Sequence, residues 1–325
     1  MSKSAVSAHS RGILISVAIA LAAVLLHTWF SLNAILISLI LGIVKGNALK
    51  LPDSFNSGIK FSSGRFLEIA IILMAFGIDY GSFLQLGWET ILIVVVTMAV
   101  VLYMTLWLSK RMSCPSSAGL LVGFGTAICG STAIAALAPS VSKDRSDMGI
   151  AMAVVNLYGL IGMVLLPILT STLLSEVQNS VLLGASLHSV GNVAGAGFSM
   201  SDTIGELAVT VKLCRVAMLT PALLLFTYFT RDTNEQSTSK RLSLPYYLVA
   251  FILISIAVSI FPLPDQLLTF TKQGSNFLLA VAMAATGLKV SFKTLLSSGK
   301  KGLVFGAILF AIQLAVIAGL MLLLF

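Results

Sequence analysis

Two apolar stretches of this chain, each long enough to span a membrane, are interrupted by clusters of glycine. The first runs from Gly123 to Pro139 (GFGTAICGSTAIAALAP) and the second from Gly184 to Phe198 (GASLHSVGNVAGAGF). Glycine weakens a helix, and a helix in lipid must satisfy all of its backbone polar groups internally. Interrupted backbone at membrane depth is tolerated only where protein or a water-filled cavity satisfies it. The two clusters therefore predict irregular backbone buried inside a helical membrane protein.

The composition agrees with a membrane location. Of the 325 residues, 58% are hydrophobic and only 10% are charged, whereas a soluble domain carries about 25% charged residues. The fold class that we predict is therefore an all-α polytopic membrane protein. The net charge of +8 does not predict a nucleic-acid partner, because the basic residues lie mostly between the apolar runs, where they orient the helices.

Eleven segments are candidates for membrane spans, because a span needs about 20 apolar residues. They cover about residues 12–30, 33–49, 66–84, 88–109, 117–139, 148–172, 178–199, 204–229, 244–262, 274–291 and 302–325. The fifth and the seventh segments contain the glycine clusters, so we expect both to be broken helices. The basic loops fall on one side of the membrane together with the N-terminus, which is therefore predicted to be cytoplasmic.

One loop leaves the topology open. Lys143 and Arg145 lie outside the cell if every segment crosses the membrane. They return to the cytoplasmic side if the fifth segment is a re-entrant hairpin, and the seventh must then be re-entrant as well. The sequence allows either eleven crossings, or nine crossings and two re-entrant hairpins.

Two pairs of segments resemble each other. Residues 74–83 (MAFGIDYGSF) resemble residues 283–293 (MAATGLKVSFK), and an alignment of Gly125 with Gly184 sets Ala135 against Ala194. The first pair runs in opposite directions in either topology, and the second pair does so if its members are re-entrant. This is the pattern of inverted repeats, which place a substrate site where they meet.

The first glycine cluster carries candidate ligands for a substrate. Cys129, Gly130, Ser131 and Thr132 place two hydroxyl groups beside backbone that the break frees from helical hydrogen bonds. The N–H groups at the start of a half-helix favour an anion, and the carbonyl groups at the end of the other half favour a cation. A small-residue face for helix packing is the alternative interpretation.

The second cluster carries His188, Ser189 and Asn192. His188 and Asn192 are four positions apart and share one face if the backbone is helical. Histidine titrates near neutral pH and can couple proton movement to transport, although a structural hydrogen bond is an equally good interpretation. Asn156, on the sixth segment, is a weaker candidate for the same path.

Lys212 and Arg215 lie inside the eighth segment, three positions apart on one helix face. A charge in the middle of a membrane is costly, so such residues usually face a cavity or a partner. Glu206 is a candidate partner for one of them. The excess of buried cations over buried acids points to a small anionic substrate.

These motifs resemble those of the YeiH-type family of bacterial membrane proteins, provisionally labelled sulfate exporters. The resemblance rests on residues 127–139 (AICGSTAIAALAP), on Ser186-Leu-His188, and on Lys212-Leu-Cys-Arg215 before Pro221. It covers nearly the full chain. The family often has an acid directly after the histidine, where this chain has Ser189, so the resemblance does not imply ion coupling through that acid.

The family is similar to the clan of bile-acid symporters and Na⁺/H⁺ antiporters. The resemblance implies the inner membrane of a bacterium and a single transporter unit over residues 1–325. Its core would cover about 66–230 and 274–325, and panel-like helices would cover about 12–49 and 244–262. The clan's broken helices cross the membrane, so the analogy favours eleven crossings.

The leading functional hypothesis is secondary transport of a small, sulfate-like anion by alternating access, without an enzyme activity, a metal or a cofactor. H⁺ or Na⁺ is the candidate coupling ion, and a homodimer is a candidate assembly. A cation/proton antiporter is the first alternative, but it requires buried carboxylates that the two broken segments lack. An intramembrane enzyme, with Cys129 or Ser131 beside His188 as a nucleophile and base, is a remote alternative. A channel would need a continuous polar pore rather than local breaks.

Overall fold

The structure, a computed structural model, is predominantly helical over the residues that it describes. The described residues are 3–30, 34–48, 51–77, 87–112, 116–141, 145–230, 246–261, 263–290 and 300–325. Within these ranges there is no β-strand, which confirms the all-α prediction. The α-helices are α1 (Lys3–Phe30), α2 (Ala34–Ala48), α3 (Asn56–Phe61), α4 (Leu67–Met74), α5 (Gly87–Arg111), α6 (Ser116–Ala127), α7 (Ser131–Val141), α8 (Arg145–Thr170), α9 (Glu176–Ser186), α10 (Val190–Met200), α11 (Asp202–Ala217), α12 (Leu219–Thr230), α13 (Tyr246–Ile260), α14 (Asp265–Lys289) and α15 (Lys300–Leu324).

Several of the described helices are long and apolar enough to cross a membrane. By length and composition four single helices qualify, over Ser10–His27, Gly87–Arg111, Asp147–Thr170 and Lys301–Leu324. The pair α11 and α12, bent by 47° between them, can form a fifth span. The count of eleven segments stays a prediction. Lys143 and parts of the predicted repeat, 78–83 and 291–293, lie outside the described residues.

The chain divides into two compact units. The first comprises residues 1–83, 194–206 and 245–292, and the second comprises 84–193, 207–244 and 293–325. The sequence-based division into a core and panel helices is a different one, and it stays a prediction.

In the first unit, α2 and α14 run side by side in the same direction with their backbones in close approach. A Cβ atom built on Gly42 would lie 2.4 Å from the carbonyl oxygen of Ala284, and one on Gly46, a turn further along α2, would lie 2.7 Å from that of Leu288, a turn further along α14. Only glycine fits such a crossing, a common device of membrane helix packing.

In the second unit, α8 and α15 run parallel to each other. A Cβ atom on Gly302, at the start of α15, would lie 3.3 Å from Ile150, and one on Gly306 would lie 2.5 Å from Val154. A Cβ atom on Gly162, further along α8, would lie 2.8 Å from Phe310. Contacts therefore advance along both helices together.

The start of α6 lies beside the start of α8. The Ser117 hydroxyl donates a hydrogen bond to Asp147, and each residue belongs to the first turn of its helix. A Cβ atom on Gly125 of α6 would lie 2.8 Å from the Ile134 side chain of α7. The first turns of α6 and α8 therefore lie side by side, and α6 packs against α7 near the break between them.

The helix α9 starts at a capping box, in which the Ser175 hydroxyl accepts from the Gln178 N–H at 3.2 Å and the Gln178 side chain accepts from the Ser175 N–H at 3.0 Å. From there α9 runs parallel to α11. A Cβ atom on Gly184 would lie 2.5 Å from the carbonyl oxygen of Ala208, and Arg215, two turns further along α11, reaches Ala185.

Candidate functional site

The two glycine-rich segments leave helical geometry at two short breaks, residues 128–130 and 187–189, which lie against each other in the second unit. Gly130 has a φ of +73°, in the left-handed region that glycine adopts without a steric penalty. A Cβ atom at Gly130 would lie 3.2 Å from the carbonyl oxygen of His188. A glycine is therefore required here by both the backbone conformation and the proximity of the second break.

Lys212 joins the two breaks through its ammonium group. Its Nζ donates to the carbonyl oxygens of Ile128 and Leu187, at 2.6 Å each. The side chain is 0% exposed. The carbonyl groups at the end of a helix lack a partner within that helix, and these two lie at the ends of α6 and α9.

Arg215 binds the last turns of the same two helices. One guanidinium nitrogen, Nη2, donates to the carbonyl oxygens of Thr126 at 2.8 Å and Ala127 at 2.6 Å. The other, Nη1, donates to Ala185 at 2.5 Å and contacts the Gly184 and Leu187 oxygens at 3.4 Å. The side chain is 1% exposed.

The two cations therefore cap the C-terminal ends of two half-helices. Such an end carries about half a negative charge, which favours a cation. Glu206, the partner that the sequence suggested, instead contacts Lys272 at 3.6 Å, and Lys272 also binds Asp202 at 3.0 Å. That part of the prediction was wrong, because the freed carbonyl groups supply the acceptors that the cations need.

Accessible polar side chains lie at the first break, at the start of the half-helix α7 and on the neighbouring helix α8. Ser131 starts α7 and is partly exposed, and Thr132 and Asn156 are exposed. The Ser131 hydroxyl donates to Asn156 Oδ1 at 3.3 Å, so the structure brings these two predicted residues together. Cys129, before the break's glycine, is buried.

At the second break the predicted residues are mostly buried. The Ser189 hydroxyl accepts from the Asn192 N–H at 3.1 Å and so caps the start of α10. His188 packs against Phe310 of α15, with ring centroids 5.2 Å apart. A Cβ atom on Gly159 would lie 2.1 Å from the Asn192 side-chain nitrogen. Any side chain at this position of α8 would therefore overlap the Asn192 amide.

Gln313 is a neighbour of the second break that the sequence analysis missed. Its Nε2 donates to the carbonyl oxygen of Ala185 at 2.9 Å, and the side chain is fully buried. A signal existed, because Gln313 is the one uncharged polar side chain of the apolar helix α15. The binding roles predicted for all these residues stay predictions.

Comparison with known proteins identifies the relatives of this chain. Residues 11–306 match the family described as "Conserved hypothetical protein 698". A UPF0324 membrane protein of Helicobacter hepaticus is 31% identical over 335 aligned positions, covering 93% of this chain and 97% of the relative. A UPF0324 membrane protein of Bacillus cereus is 31% identical over 308 positions, covering 92% and 90%.

A third relative, UPF0324 membrane protein WS2204 of Wolinella succinogenes, is 33% identical over 294 positions, covering 88% of each chain. No solved structure matches. The family agrees with the YeiH-type resemblance of the sequence motifs. The chain is therefore a membrane protein that belongs to the Conserved hypothetical protein 698 family, which includes the UPF0324 membrane proteins.

Proposed function

We propose that this protein is a secondary transporter of small anions, with its substrate site at the two breaks. The observation that carries the proposal is the cap formed by Lys212 and Arg215. It fills the carbonyl ends of α6 and α9 and leaves the N–H end of α7, beside the partly exposed Ser131, for a ligand.

The helix directions favour nine crossings and two re-entrant hairpins over eleven crossings. The contact of Ser117 with Asp147 favours a path in which both ends of segment 116–141 lie on one side of the membrane. Because α9 and α11 run parallel, the chain between them must return to the side from which α9 started. In this topology Lys143 and Arg145 are cytoplasmic, which removes the exception to the positive-inside rule.

The depth of the breaks favours a site in the middle of the membrane. Trp88 and Trp107, exposed near the two ends of α5, are about 28 Å apart at 1.5 Å per residue, close to the ~30 Å of a hydrocarbon core. Gly123 contacts Thr105 near one end, and Val181 packs near the other, with Ile93 and Val94. The first break lies about 8 Å beyond Gly123 along α6, and the second lies about as far beyond Val181 along α9. The two half-helices therefore approach the middle of the membrane from opposite faces.

The charges at the breaks favour an anion. Lys212 and Arg215 carry two positive charges, and the dipoles of two helix C-termini and two helix N-termini roughly cancel. No acidic residue lies within 117–139 or 178–199. A cation/proton antiporter would need carboxylates at this place, so we prefer the anion.

The same site supports transport rather than an enzyme reaction. The Ser131 hydroxyl donates to Asn156, and an activated nucleophile would instead bind a base such as His188. We place the protein in the inner membrane of a bacterium with its N-terminus in the cytoplasm. The proposal includes H⁺ or Na⁺ as the coupling ion and a homodimer as the assembly.

Uptake into proteoliposomes tests the proposal. The wild type should take up at least one labelled anion from a panel of sulfate, phosphate, chloride, acetate and ethanesulfonate, above liposomes without protein. Ser131→Ala should raise KM by about tenfold or more, since one hydrogen bond to a charged group is worth about 1.5–3 kcal/mol and about 1.4 kcal/mol is a factor of ten. The matched control is Ser109→Ala, which removes a hydroxyl bonded only to the Leu106 carbonyl group at the end of α5.

Uptake that distinguishes Ser131→Ala from Ser109→Ala supports the site. A protein that is folded and inserted but moves no anion of the panel, and instead exchanges Na⁺ for H⁺, would overturn the anion transporter in favour of the antiporter.

A further inference from the structure

Three buried polar atoms around the second break have no hydrogen-bond partner in the described part of the chain. They are Ser186 Oγ, His188 Nδ1 and Gln313 Oε1. Their side chains are 0%, 1% and 0% exposed, respectively. Buried polar groups in native proteins are nearly always hydrogen-bonded, and exceptions commonly mark a bound water or ion. Three at one place therefore indicate a missing binding partner.

The three atoms belong to one short stretch of the break and to the turn of α15 that packs on it. The Gln313 amide is fixed on the carbonyl oxygen of Ala185, the residue before Ser186. Phe310, one turn earlier on α15, packs on the ring of His188. The turn 310–313 thus covers residues 185–188.

The orientation of Gln313 determines what the partner must offer. Its Nε2 is used by Ala185, and an exchange of the two amide atoms would point an oxygen at a carbonyl oxygen. Oε1 is therefore an acceptor that requires a donor. The Ser186 hydroxyl can donate or accept, and a neutral histidine nitrogen can do either. A bare anion cannot satisfy Gln313, but an O–H group can.

A metal cation is a poorer partner for the same atoms. Lys212 and Arg215 lie beside this break, bonded to Leu187 and Ala185, and their charges repel a cation. A neutral O–H group carries no such penalty.

We propose that the second break contains a binding site for one O–H group, formed by Gln313 Oε1 with Ser186 Oγ and His188 Nδ1. Two sources supply this chemistry: a bound water, or the hydroxyl group of a transported hydroxy-anion. The substrate as the source of the hydroxyl group rests on the proposed function. In that case the substrate class is a small anion that carries a hydroxyl group.

An experimental structure of the full chain in nanodiscs, at a resolution that reveals waters, tests the site. The wild type is examined without added anion, with isethionate (hydroxyethanesulfonate) and with ethanesulfonate, which lacks only the hydroxyl group. A density peak within about 3.2 Å of Gln313 Oε1 is expected in at least one condition. A peak without anion identifies water, and a peak only with isethionate identifies the substrate hydroxyl. The absence of a peak in all three conditions overturns the proposal.

Variants connect the peak to Gln313. Gln313→Met keeps the side-chain size and should remove the peak, and Ser186→Ala, a smaller change, should displace or weaken it. Thr271→Val, which removes a buried hydroxyl group of α14 that is bonded to carbonyl groups of its own helix, is the control and should leave it unchanged. If Gln313→Met does not fold, Ser186→Ala decides, and an unaltered peak in either folded variant contradicts the site.

Binding separates the two sources independently. If the substrate supplies the hydroxyl group, wild type should bind isethionate about tenfold more tightly than ethanesulfonate, because a lone buried acceptor is costly, and Ser186→Ala should reduce the ratio. Equal binding supports water. A peak in a protein that takes up no anion would refute the proposed function and support the O–H site. Anion uptake without a peak would support the proposed function and refute the O–H site.

Discussion

Lys212 offers a sharp test, because a matched lysine exists elsewhere in the chain. We expect Lys212→Met to destabilise the protein far more than Lys272→Met. Methionine approximates the length and volume of lysine in both variants, so the comparison isolates the loss of the ammonium group. Lys212 is 0% exposed, whereas the Lys272 side chain is 48% exposed in its contacts with Asp202 and Glu206.

The magnitude follows from the partners of each ammonium group. The Lys212 ammonium group donates to the buried carbonyl oxygens of Ile128 and Leu187 at 2.6 Å each. Lys212→Met removes this donor from both oxygens. Each lost bond to a charged donor is worth about 1.5–3 kcal/mol, and removal of the buried charge itself returns part of that. An unsatisfied buried acceptor costs about 1–3 kcal/mol, so with two carbonyl groups affected we expect a net loss of about 2–4 kcal/mol. An exposed ion pair contributes about 0–1 kcal/mol.

Reversible unfolding in mixed micelles, with the free energy of unfolding extrapolated to zero denaturing detergent, measures both values. Arg215 should respond in the same direction to Arg215→Met, because it bonds the same two helix ends. If Lys212→Met is as stable as Lys272→Met, the capping role of Lys212 is refuted.

Three further predictions test the backbone and the topology. Gly130→Ala should lower the free energy of unfolding by about 1–2 kcal/mol because of the left-handed φ of +73°. Gly149→Ala, in α8 with open space around it, should be neutral or stabilising by up to about 1 kcal/mol. Thermal unfolding measures both variants, and equal effects would contradict the backbone strain at Gly130. A Ser117→Cys, Asp147→Cys double variant should form a disulfide on mild oxidation, because Ser117 contacts the first turn of α8. The control, Ser117→Cys with Thr170→Cys, should not, because Thr170 lies at the other end of α8. No cross-link in the first pair would contradict the hairpin. Gly306→Leu should reduce the amount of folded protein, because even a Cβ atom there would lie 2.5 Å from Val154. Gly319→Leu should leave the amount unchanged, because a Cβ atom there would have nothing within 4 Å. The recovery of monodisperse protein compares the two variants.

The glycine clusters predicted irregular backbone in the two segments that contain residues 128–130 and 187–189, but the sequence did not predict the partners of the buried charges. Glycine at Gly130 and the hydroxyl groups beside it are local signals, so the break could be placed from residues alone. The acceptors of Lys212 and Arg215 are backbone carbonyl oxygens, which every residue type carries. Only the fold reveals which of them lack a helical partner, and therefore Glu206 was the wrong expectation.

The sequence also left the path of the first broken segment open. Eleven crossings and nine crossings with two hairpins share the same apolar stretches, and they differ in long-range contacts such as Ser117 with Asp147. Hydropathy does not contain this information. Gln313 was missed for a related reason, since its importance comes from its contact with Ala185, 128 positions away.

Chemical modification at Thr132 tests the central claim most directly, namely that the breaks line a hydrated, electropositive pocket. Thr132→Cys in a background without Cys114, Cys129 and Cys214 is treated with anionic and cationic thiosulfonate reagents, with each rate normalised to a free thiol. Leu224→Cys, at an apolar position of α12 that is 62% exposed, is the lipid-facing control. We expect Thr132→Cys to react, faster with the anionic reagent, and Leu224→Cys to stay unmodified. Equal protection of both thiols, or a preference of Thr132→Cys for the cationic reagent, would contradict the account.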